Sequence, residues 1–310
     1  MRTLDLGGLI VDRVAEDPAT WLDPAWLFPN IVPADLERHR NRLPAFLHDP
    51  ATGRIRISVH SYLVRAGGLN ILIDACVGND KERPRTPFWH RLAHDRYLSD
   101  LARHGLRPED IDMVMCTHLH TDHVGWNTRL ENGRWVPTFP NARYLFGRRE
   151  FDHQRRVFEA EAPAGPVPFS DSVLPVVEAG RAELVEADHG FDLDDGGRVS
   201  LRPAPGHTPG HVCVHLRGRT AEGLASGDMI HHPIQFAEPH LINMADADPA
   251  QARRTREEML GFCADEDVFL LPGHFPGPTV GKVVRHRWGE REGFDFRFRD
   301  EGARTPLGEE

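Results

Sequence analysis

The spacing of apolar and polar positions along the chain predicts two groups of strands. In the first half, residues 54–64 and 69–74 alternate or run apolar on either side of a Gly-Gly turn, which indicates a hairpin. Residues 111–116 then have the pattern of a buried strand. In the second half the same reasoning predicts strands near residues 183–186, 198–204, 212–216, 224–226 and 268–270.

Two helices are predicted with defined ends. Asp248 is typical of an N-cap residue, and Pro249 behind it suits the first helical position, so residues 249–263 are predicted to be a helix. A shorter helix is predicted to begin at Tyr97 and to stop before Gly105. The chain therefore combines helices and sheets.

Two proline-rich segments lie outside this pattern. Residues 15–50 and 157–179 each combine several prolines with aromatic residues, which is too broken for a regular element and too aromatic for a free tail. We interpret one or both as walls of a substrate pocket, because ligand pockets are mostly apolar. Packing on the main body and a contact in a homodimer are the alternatives. Trp89, Trp126 and Phe139 are further candidates for the pocket wall.

Composition narrows the partners and the compartment. The formal net charge of -10 argues against nucleic acid as a partner. The four cysteines have no Cys-x-x-Cys spacing and lie in apolar runs, which indicates buried thiols in a reducing compartment. The first residues carry no apolar signal core and no stretch has the length of a membrane span, so we expect a cytoplasmic protein with no membrane partner.

Residues 117–123 read Thr-His-Leu-His-Thr-Asp-His and concentrate side chains that bind metals. In an extended turn His118 and His120 point to the same side and can share one cation. Asp122 and His123 follow at the start of a helix and can serve a second cation. Two metals roughly 3.5–4 Å apart hold a hydroxide between them and clamp the oxygens of a reaction centre. The alternative is a solvated polar loop, which the buried strand ahead of the motif disfavours.

Three later residues complete a ligand set. His207, Asp228 and His274 each follow an apolar run and a glycine, at a point where a strand gives way to a loop. Taken singly, each is more typical of a turn residue. Because all three follow the first motif in one order, they indicate one site to which all these residues contribute ligands.

This order of ligands resembles that of the metallo-β-lactamase superfamily, over residues 55–280. The resemblance implies an α+β protein with an αβ/βα four-layer sandwich and the metals at one edge between two sheets. An Asp at the position of Asp74 supports a ligand in that family, although here a turn carboxylate is the alternative. The implied ligands are His118, His120 and His207 for the first metal, Asp122, His123 and His274 for the second, and Asp228 as the bridge.

The domain organisation follows from the ligand span. Because the segment from His118 to His274 must close into one site, residues 55–310 are predicted to form a single catalytic domain. Residues 1–54 are predicted to be an N-terminal extension that packs on or near the active site.

Departures from the family pattern indicate a branch. The bridging Asp228 argues against zinc β-lactamases, and His120 in place of Glu argues against flavo-diiron oxidoreductases. The segments around Asp228 and His274 are most similar to the branch that holds N-acyl homoserine lactonases and methyl parathion hydrolase. In the lactonases a Tyr stands three residues after the bridging Asp. Here His231 occupies that position and could donate a hydrogen bond to the substrate, the alternative being a surface or supporting histidine.

The sequence therefore predicts a dinuclear hydrolase of cyclic or activated esters, with a lactone as the first choice of small-molecule substrate. The expected nucleophile is a metal-bridging hydroxide, and Asp122 could carry a proton to the leaving group. The ligand types favour zinc and are compatible with manganese, iron or cobalt. The alternatives are a phosphotriesterase or aryl esterase, a redox protein with two irons, and a metal-binding regulator without turnover.

Overall fold

Short strands and helices alternate along the chain in the computed structural model, which describes residues 1–39, 41–161, 167–194 and 196–299. The described residues form sixteen strands: β1 (Leu4–Asp5), β2 (Ile10–Leu22), β3 (Ile55–Ala66), β4 (Leu69–Ile73), β5 (Met113–Cys116), β6 (Thr128–Glu131), β7 (Arg134–Pro137), β8 (Arg143–Gly147), β9 (Ala182–Val185), β10 (Gly190–Asp192), β11 (Arg198–Pro203), β12 (Val212–Arg217), β13 (Glu222–Ala225), β14 (Phe269–Leu271), β15 (Gly281–Trp288) and β16 (Arg291–Phe298). They also form eight α-helices: α1 (Pro24–Leu27), α2 (Pro33–His39), α3 (Arg96–Arg103), α4 (Thr121–Val124), α5 (Arg148–Glu161), α6 (Leu174–Glu178), α7 (Ile234–Ala237) and α8 (Pro249–Asp265).

Two seven-stranded sheets make up the centre of the fold. The first has the order β1-β2-β3-β4-β5-β8-β9 and the second the order β10-β11-β12-β13-β14-β15-β16, while β6 and β7 form a separate hairpin. In the first sheet β4, β5, β8 and β9 run parallel, and in the second β13 and β14 do. The carboxyl ends of these parallel strands therefore lie at one edge of each sheet.

Strand β5 illustrates how side-chain alternation builds the layers. Met113 and Met115 lie in the apolar core between the two sheets, whereas Val114 and Cys116 lie in the core between the first sheet and its helices. A third cluster joins the second sheet to α8. Because successive strand residues point to opposite faces, a strand buried on both sides must be apolar throughout. The resulting order of helix, sheet, sheet and helix confirms the predicted αβ/βα sandwich.

Several predicted elements are present with small shifts of their ends. The hairpin is formed by β3 and β4, which pair antiparallel. The helix predicted at residues 249–263 is α8, and the Asp248 side chain accepts a hydrogen bond from the backbone N–H of Gln251 at 2.9 Å. The local rules work here because N-cap chemistry and period-2 alternation are properties of neighbouring residues.

The predictions for the two proline-rich segments were wrong about secondary structure. Within residues 15–50, β2 continues to Leu22 and is followed by α1 and α2. Its pairing with β3 shifts register between Ala15 and Asp17 and again between Asp17 and Thr20. Strands β1 and β2 thus extend the first sheet, while the domain boundary at residue 54 stays a prediction.

The second segment was predicted to be an irregular loop. Instead α5 runs into it, and a π-helical turn at Phe169–Val173 leads directly into α6. The part of the prediction that falls on residues 162–166 lies outside the described residues. Pro168 and Pro175 stand at the starts of these two turns, where proline needs no hydrogen-bond donor, so the prolines mark helix starts.

Burial corrects two candidate pocket residues and supports the cysteine prediction. Trp126 and Phe139 belong to the core between the first sheet and its helices and do not line the cavity at the metal edge. All four cysteines are buried and free. Within the described residues, no helix is long and apolar enough to cross a membrane.

Candidate metal centre

The predicted ligands converge at one edge of the sandwich, where strands of both sheets end. Residues 118–123 follow β5, Asp228 follows β13 and His274 follows β14. His207 lies in the loop between β11 and β12. All seven predicted ligands are found in two neighbouring clusters. Within each cluster the ligand atoms lie within 4.8 Å of one another. The structure therefore brings the whole predicted set together.

Three histidines and one carboxylate form the first cluster. The Nδ1 atom of His120 lies 3.0 Å from Nε2 of His207. That Nε2 lies 3.2 Å from Oδ2 of Asp228, and Nε2 of His118 lies 3.7 Å from the same oxygen. Imidazole lone pairs that converge on one point beside a carboxylate are the usual ligands of zinc.

A second cluster is formed by Asp122, His123 and His274. The Nε2 atom of His274 lies 3.5 Å from Oδ2 of Asp122, and Nε2 of His123 lies 3.7 Å from that oxygen. Asp122 and His123 are on the single turn α4, which His120 precedes as the N-cap residue. This short turn and its N-cap residue therefore supply side chains to both clusters.

Asp228 lies between the two clusters and turns one carboxylate oxygen to each. Its Oδ2 faces His207 at 3.2 Å, while its Oδ1 lies 3.0 Å from Nε2 of both His123 and His274. A carboxylate can serve two cations through its two oxygens. This is the arrangement that a bridging ligand requires.

Tight packing at Gly227 holds Asp228 in this position. Gly227 has a φ of 47°, and a Cβ there would lie 2.6 Å from Oγ1 of Thr117 and 2.7 Å from Nε2 of His211. The same Nε2 accepts the backbone N–H of Asp228 at 3.0 Å. Burial, with His207 adding to it, lowers the pKa of His211 to about 3, so its imidazole is neutral and can accept.

Asp74 orients the motif that carries the first ligands. Its Oδ2 lies 2.9 Å from Nδ1 of His123, and its carboxylate also accepts the backbone N–H and the hydroxyl of Thr117 at 2.7 and 2.9 Å. Because a carboxylate only accepts, Nδ1 of His123 carries a proton and Nε2 is left to face the cluster. The hydroxyl of Thr117 lies 3.1 Å from Nδ1 of His118. Of the two readings of Asp74 from sequence, these contacts favour the supporting role.

Two further groups orient predicted ligands, and the sequence did not predict either of these partners. Nδ1 of His207 donates to Oδ1 of Asp246 at 2.9 Å, and Nδ1 of His274 donates to the backbone carbonyl of Ser58 at 2.9 Å. Asp246 stands 39 residues from His207 and does not directly follow a strand. A backbone carbonyl leaves no mark on the sequence at all, so neither partner had a local signal.

His231 also faces the carboxylate of Asp228. Its Nε2 lies 3.1 Å from Oδ2 of Asp228, and its ring stacks on His274 with centroids 5.6 Å apart. Its backbone N–H donates to Oε1 of Gln235 at 2.8 Å. Burial lowers the pKa of its imidazole. The sequence predicts His231 close to the site, and the structure places it beside two of the predicted ligands, Asp228 and His274, whereas its catalytic role stays a prediction.

The histidines differ in how their surroundings act on their pKa values. Burial lowers the pKa of His118 and His120 well below the ordinary range, and neighbouring histidines add to this effect. Burial also lowers the pKa of His207, but hydrogen bonding and charge at Asp228 outweigh it and raise the value to about 9. At His123 the charges of Asp228, Asp74 and Asp122 together outweigh burial and raise the pKa. Metal ions bind neutral imidazole, so a cation in either cluster would compete with these protons.

Buried polar atoms in the site lack partners that a cation would supply. Among the described residues no hydrogen bond satisfies Nε2 of His118, Nε2 of His123 or Oδ1 of Asp228. The last two atoms are 3.0 Å apart but are not aligned as a hydrogen bond. An unsatisfied buried polar group costs about 1–3 kcal/mol. The donor set and its unsatisfied atoms therefore fit a pair of divalent metal ions.

A cavity of about 520 Å³ opens onto both clusters. Asp122, Asp228 and His231 contribute to its lining on the metal side. Both proline-rich segments and the predicted Trp89 line this cavity, whereas substrate binding in it stays a prediction. The apolar lining includes Trp26, Leu27, Trp89, Phe158, Phe169 and Met244.

A buried ion pair connects this wall to the metal-binding turn. The guanidinium of Arg83 donates to both carboxylate oxygens of Asp171 at 2.7 and 2.8 Å. Its Nε donates to the hydroxyl of Thr121, which directly precedes Asp122. Bidentate Arg–carboxylate pairs have a fixed geometry, so this contact fixes the π-helical turn relative to α4.

The order of the clustered residues, the two facing sheets and a carboxylate placed between the clusters are the features of a class of metal-dependent enzymes. Residues 54–284 match the sequence profile of the metallo-beta-lactamase superfamily. The chain belongs to this superfamily.

Two proteins of similar sequence are both named as N-acyl homoserine lactonases. An N-acyl homoserine lactonase from a Bacillus species is 29% identical over 117 residues, which are 38% of this chain and 37% of that protein. The N-acyl homoserine lactonase AttM of Rhizobium radiobacter is 22% identical over 191 residues, which are 61% of this chain and 68% of that protein. The match thus spans little more than a third of the first relative's length. These relatives carry the name of the lactonase branch that the motifs indicated.

Solved structures extend the likeness to nearly the whole chain. The dizinc quorum-quenching lactonase AidC, in complex with a product, superposes with a TM-score of 0.74 at 20% identity, covering 97% of this chain and 98% of that chain. The hydrolase AbOPH of the beta lactamase superfamily superposes with a TM-score of 0.72 at 21% identity, covering 96% and 98%. At this identity the likeness establishes the fold.

Proposed function

We propose that the protein is a dinuclear metal-dependent hydrolase of cyclic or activated esters, with lactones as its preferred substrates. The observation that carries the proposal is the position of Asp228, whose two oxygens face two separate ligand clusters. The lactonase relatives support a lactone as the bond that is cleaved. The apolar cavity supports a substrate with an apolar portion next to that bond.

The proposed ligands divide between two metal ions. Bound there, two divalent ions supply Lewis acidity toward the carbonyl oxygen of an ester and lower the pKa of water toward 7. Zinc is the ion that we expect from the donor set, while manganese, iron and cobalt accept the same ligands. The first ion would be held by His118, His120 and His207, the second by Asp122, His123 and His274, and both by Asp228.

Asp122 is suited to move a proton during hydrolysis. Its carboxylate lines the cavity and belongs to the second cluster, so it can reach both water and a bound substrate. We assign its carboxylate the role of accepting a proton from water and of delivering it to the leaving oxygen. In a lactone the leaving oxygen stays attached to the acyl product, so the proton is delivered to the molecule that is still bound at the site.

His231 is suited to donate a hydrogen bond. Its ring lines the cavity, and its imidazole is neutral at pH 7 because burial lowers its pKa. A neutral imidazole carries one N–H, which can point either to Asp228 or to a substrate oxygen. Donation to the oxygen that gains negative charge would lower the barrier, and groups of this kind contribute about 10²–10³ to turnover.

The cavity walls would bind the rest of the substrate and exclude water. Trp26 packs edge-on against Phe88 and Trp89, with ring centroids 5.2 and 6.4 Å apart. This aromatic cluster favours a second candidate function, a phosphotriesterase or aryl esterase, because aryl groups pack well on aromatic rings. Both candidates use the same metal ligands and differ in the group that occupies the cavity.

One preparation assayed on four substrate classes would test the proposal. The classes are N-acyl homoserine lactones, aryl esters, phosphotriesters and penicillins, compared by kcat/KM. We expect lactones to rank first and penicillins far below the other three. A phosphotriester in first place would favour the second candidate, and a penicillin in first place would contradict the proposal. Oxygen consumption without hydrolysis would instead assign the site to redox chemistry.

A further inference from the structure

A second cavity, of about 330 Å³, lies between α7, α8 and the last two strands. It shares no lining residue with the cavity above the metal clusters. Three arginines line it, namely Arg256 on α8, Arg285 on β15 and Arg291 on β16. Phe236, Leu260 and Phe294 supply apolar surface beside them. The cavity thus combines positive charge with an apolar floor.

Arg256 is the most buried of these cations, with 3% of its surface exposed. In the described part of the chain its guanidinium donates from Nη2 to two backbone carbonyls, those of Pro239 at 2.8 Å and Leu241 at 3.3 Å. Neither partner is a carboxylate. Burial lowers the pKa of Arg256 to about 10, which is the direction expected for a cation that burial has stripped of solvent. The carboxylates of Asp246 and Glu257 act on Arg256 through their charge, but within the described residues no hydrogen bond joins its guanidinium to a carboxylate.

The carboxylates near the cavity are mostly engaged elsewhere. Glu257 lines the cavity but lies 2.9 Å from Nε of Arg253. Arg285 is paired in turn with Asp265 through both of its oxygens. Glu292, the other acidic residue of the lining, is exposed. The lining holds three arginines against two glutamates, an excess of one positive charge.

Arg291 completes the polar side of the cavity. It donates from Nη2 to the backbone carbonyl of Ala237, the last residue of α7. A guanidinium has five N–H donors in a fixed fork, so one bond to a carbonyl leaves others for a ligand. Carboxylates match this fork, and an apolar body would pack on Phe236 and Phe294. We propose that this cavity binds a small organic carboxylate through Arg256 and Arg291.

A short chain of hydrogen bonds connects this cavity to His231. Gln235 lines the cavity, and its Oε1 accepts the backbone N–H of His231 at 2.8 Å. Its Nε2 donates to the carbonyl of Leu241 at 3.3 Å, the same carbonyl that Arg256 contacts. An anion that draws the guanidinium of Arg256 toward itself would loosen that shared contact. Occupancy of the cavity is therefore linked to the position of His231 at the metal edge.

Titration calorimetry with benzoate tests the site on the full-length, metal-loaded protein. We expect wild type to bind benzoate, Arg291→Gln to bind it at least about tenfold more weakly because a charge-assisted pair is lost, and neutral benzamide not to bind. Arg287→Gln is the matched control, since Arg287 is exposed on the same hairpin and lies outside the cavity. Arg291 is chosen over Arg256 because the latter is buried and its loss would endanger folding.

Three results would overturn the assignment. Equal benzoate affinity in wild type and Arg291→Gln would place the bound carboxylate elsewhere, for example on the metals. Inorganic phosphate binding more tightly than benzoate would contradict the ligand class. The imidazole resonances of His231 are assigned by their absence from the spectrum of His231→Phe. They should shift when benzoate binds to wild type but not when it is added to Arg291→Gln. Unchanged resonances in wild type would contradict the link between the cavity and His231. None of these measurements requires hydrolysis, so they stand apart from the proposed function.

Discussion

The carboxylate of Asp74 lies 2.9 Å from Nδ1 of His123, and this contact decides which nitrogen of the ring faces the second ligand cluster. Asp74 directly follows β4 and His123 comes after the parallel neighbour β5, so the strand order brings the two together. Asp74 adopts a left-handed backbone with a φ of 60°, an uncommon conformation for a residue other than glycine. An uncommon backbone conformation is therefore kept at Asp74, whose side chain orients the predicted ligand His123.

Asp74→Asn should weaken metal binding without removing a ligand. An amide can still accept from Thr117 but does not carry the charge that makes the His123 imidazole a better donor, and losses of about 10–100-fold in metal affinity are typical for such partners. Competition with a chelator of known affinity measures the effect. Asp194→Asn, at an exposed carboxylate away from the site, is the control. Equal metal affinity in both variants would contradict the orienting role.

Metal content tests the bridge at Asp228. Purified protein should hold about two transition-metal ions per chain, and chelation should abolish activity that zinc, cobalt or manganese restores. In Asp228→Asn the second ion should be bound more weakly and turnover should fall strongly, because a neutral amide bridges two cations poorly. Elemental analysis of both proteins decides this. One ion per chain at saturation in wild type would contradict the two-metal proposal.

Local chemistry explains which parts of the site were readable from the sequence. The turn that carries Asp122 and His123 and the N-cap of α8 are encoded within a few residues, and the structure has both where the sequence predicts them. Metal binding by the motif around His118 stays a prediction. Asp246 and the carbonyl of Ser58 reach their ligands only through the tertiary fold, so no local pattern marks them. The helices of the second proline-rich segment were missed because proline marks the start of a helix as readily as it breaks one.

His231→Phe should lower turnover and leave the metals in place. If the imidazole donates to a substrate oxygen, its loss removes one transition-state hydrogen bond, so kcat should fall by about 10²–10³ while KM changes little. Steady-state kinetics together with elemental analysis measures both quantities. His231→Gln, which retains an N–H donor, should keep part of the activity. Wild-type kcat in His231→Phe at full metal occupancy would make His231 a packing residue.

The cavity wall should act on binding more than on chemistry. Phe158 lines the cavity and stacks on Phe169 with ring centroids 5.5 Å apart. Phe158→Ala should raise KM for substrates with long apolar chains by about tenfold or more, since burying an apolar group of this size contributes about 1.5–3 kcal/mol. Short-chain substrates should be affected less. Leu130→Ala, at an exposed apolar residue outside the cavity, is the control, and equal effects of both variants would contradict the assigned wall.

Glu16, which lies outside the ligand clusters, is expected to make the stability of the protein depend on pH. Its carboxylate is buried where β2 bends and accepts the backbone N–H groups of Val77 and Gly78 at 2.7 and 3.1 Å. It also accepts Nε1–H of Trp126 at 2.7 Å. Burial outweighs these bonds and raises the pKa of Glu16 from 4.5 to about 7. The native state therefore holds a proton there that the unfolded chain has already released.

The sign of the effect follows from this proton. Between pH 4.5 and 7 the folded protein binds more protons at Glu16 than the unfolded chain, so the free energy of unfolding falls as the pH rises. Glu16→Gln removes this dependence of the free energy of unfolding on pH. Any other effect of the substitution on the free energy of unfolding is the same at every pH. The free energy of unfolding of wild type minus that of Glu16→Gln should therefore fall by about 3 kcal/mol across this range. Urea denaturation of both proteins at several pH values measures it, and a difference that stays constant would contradict the raised pKa.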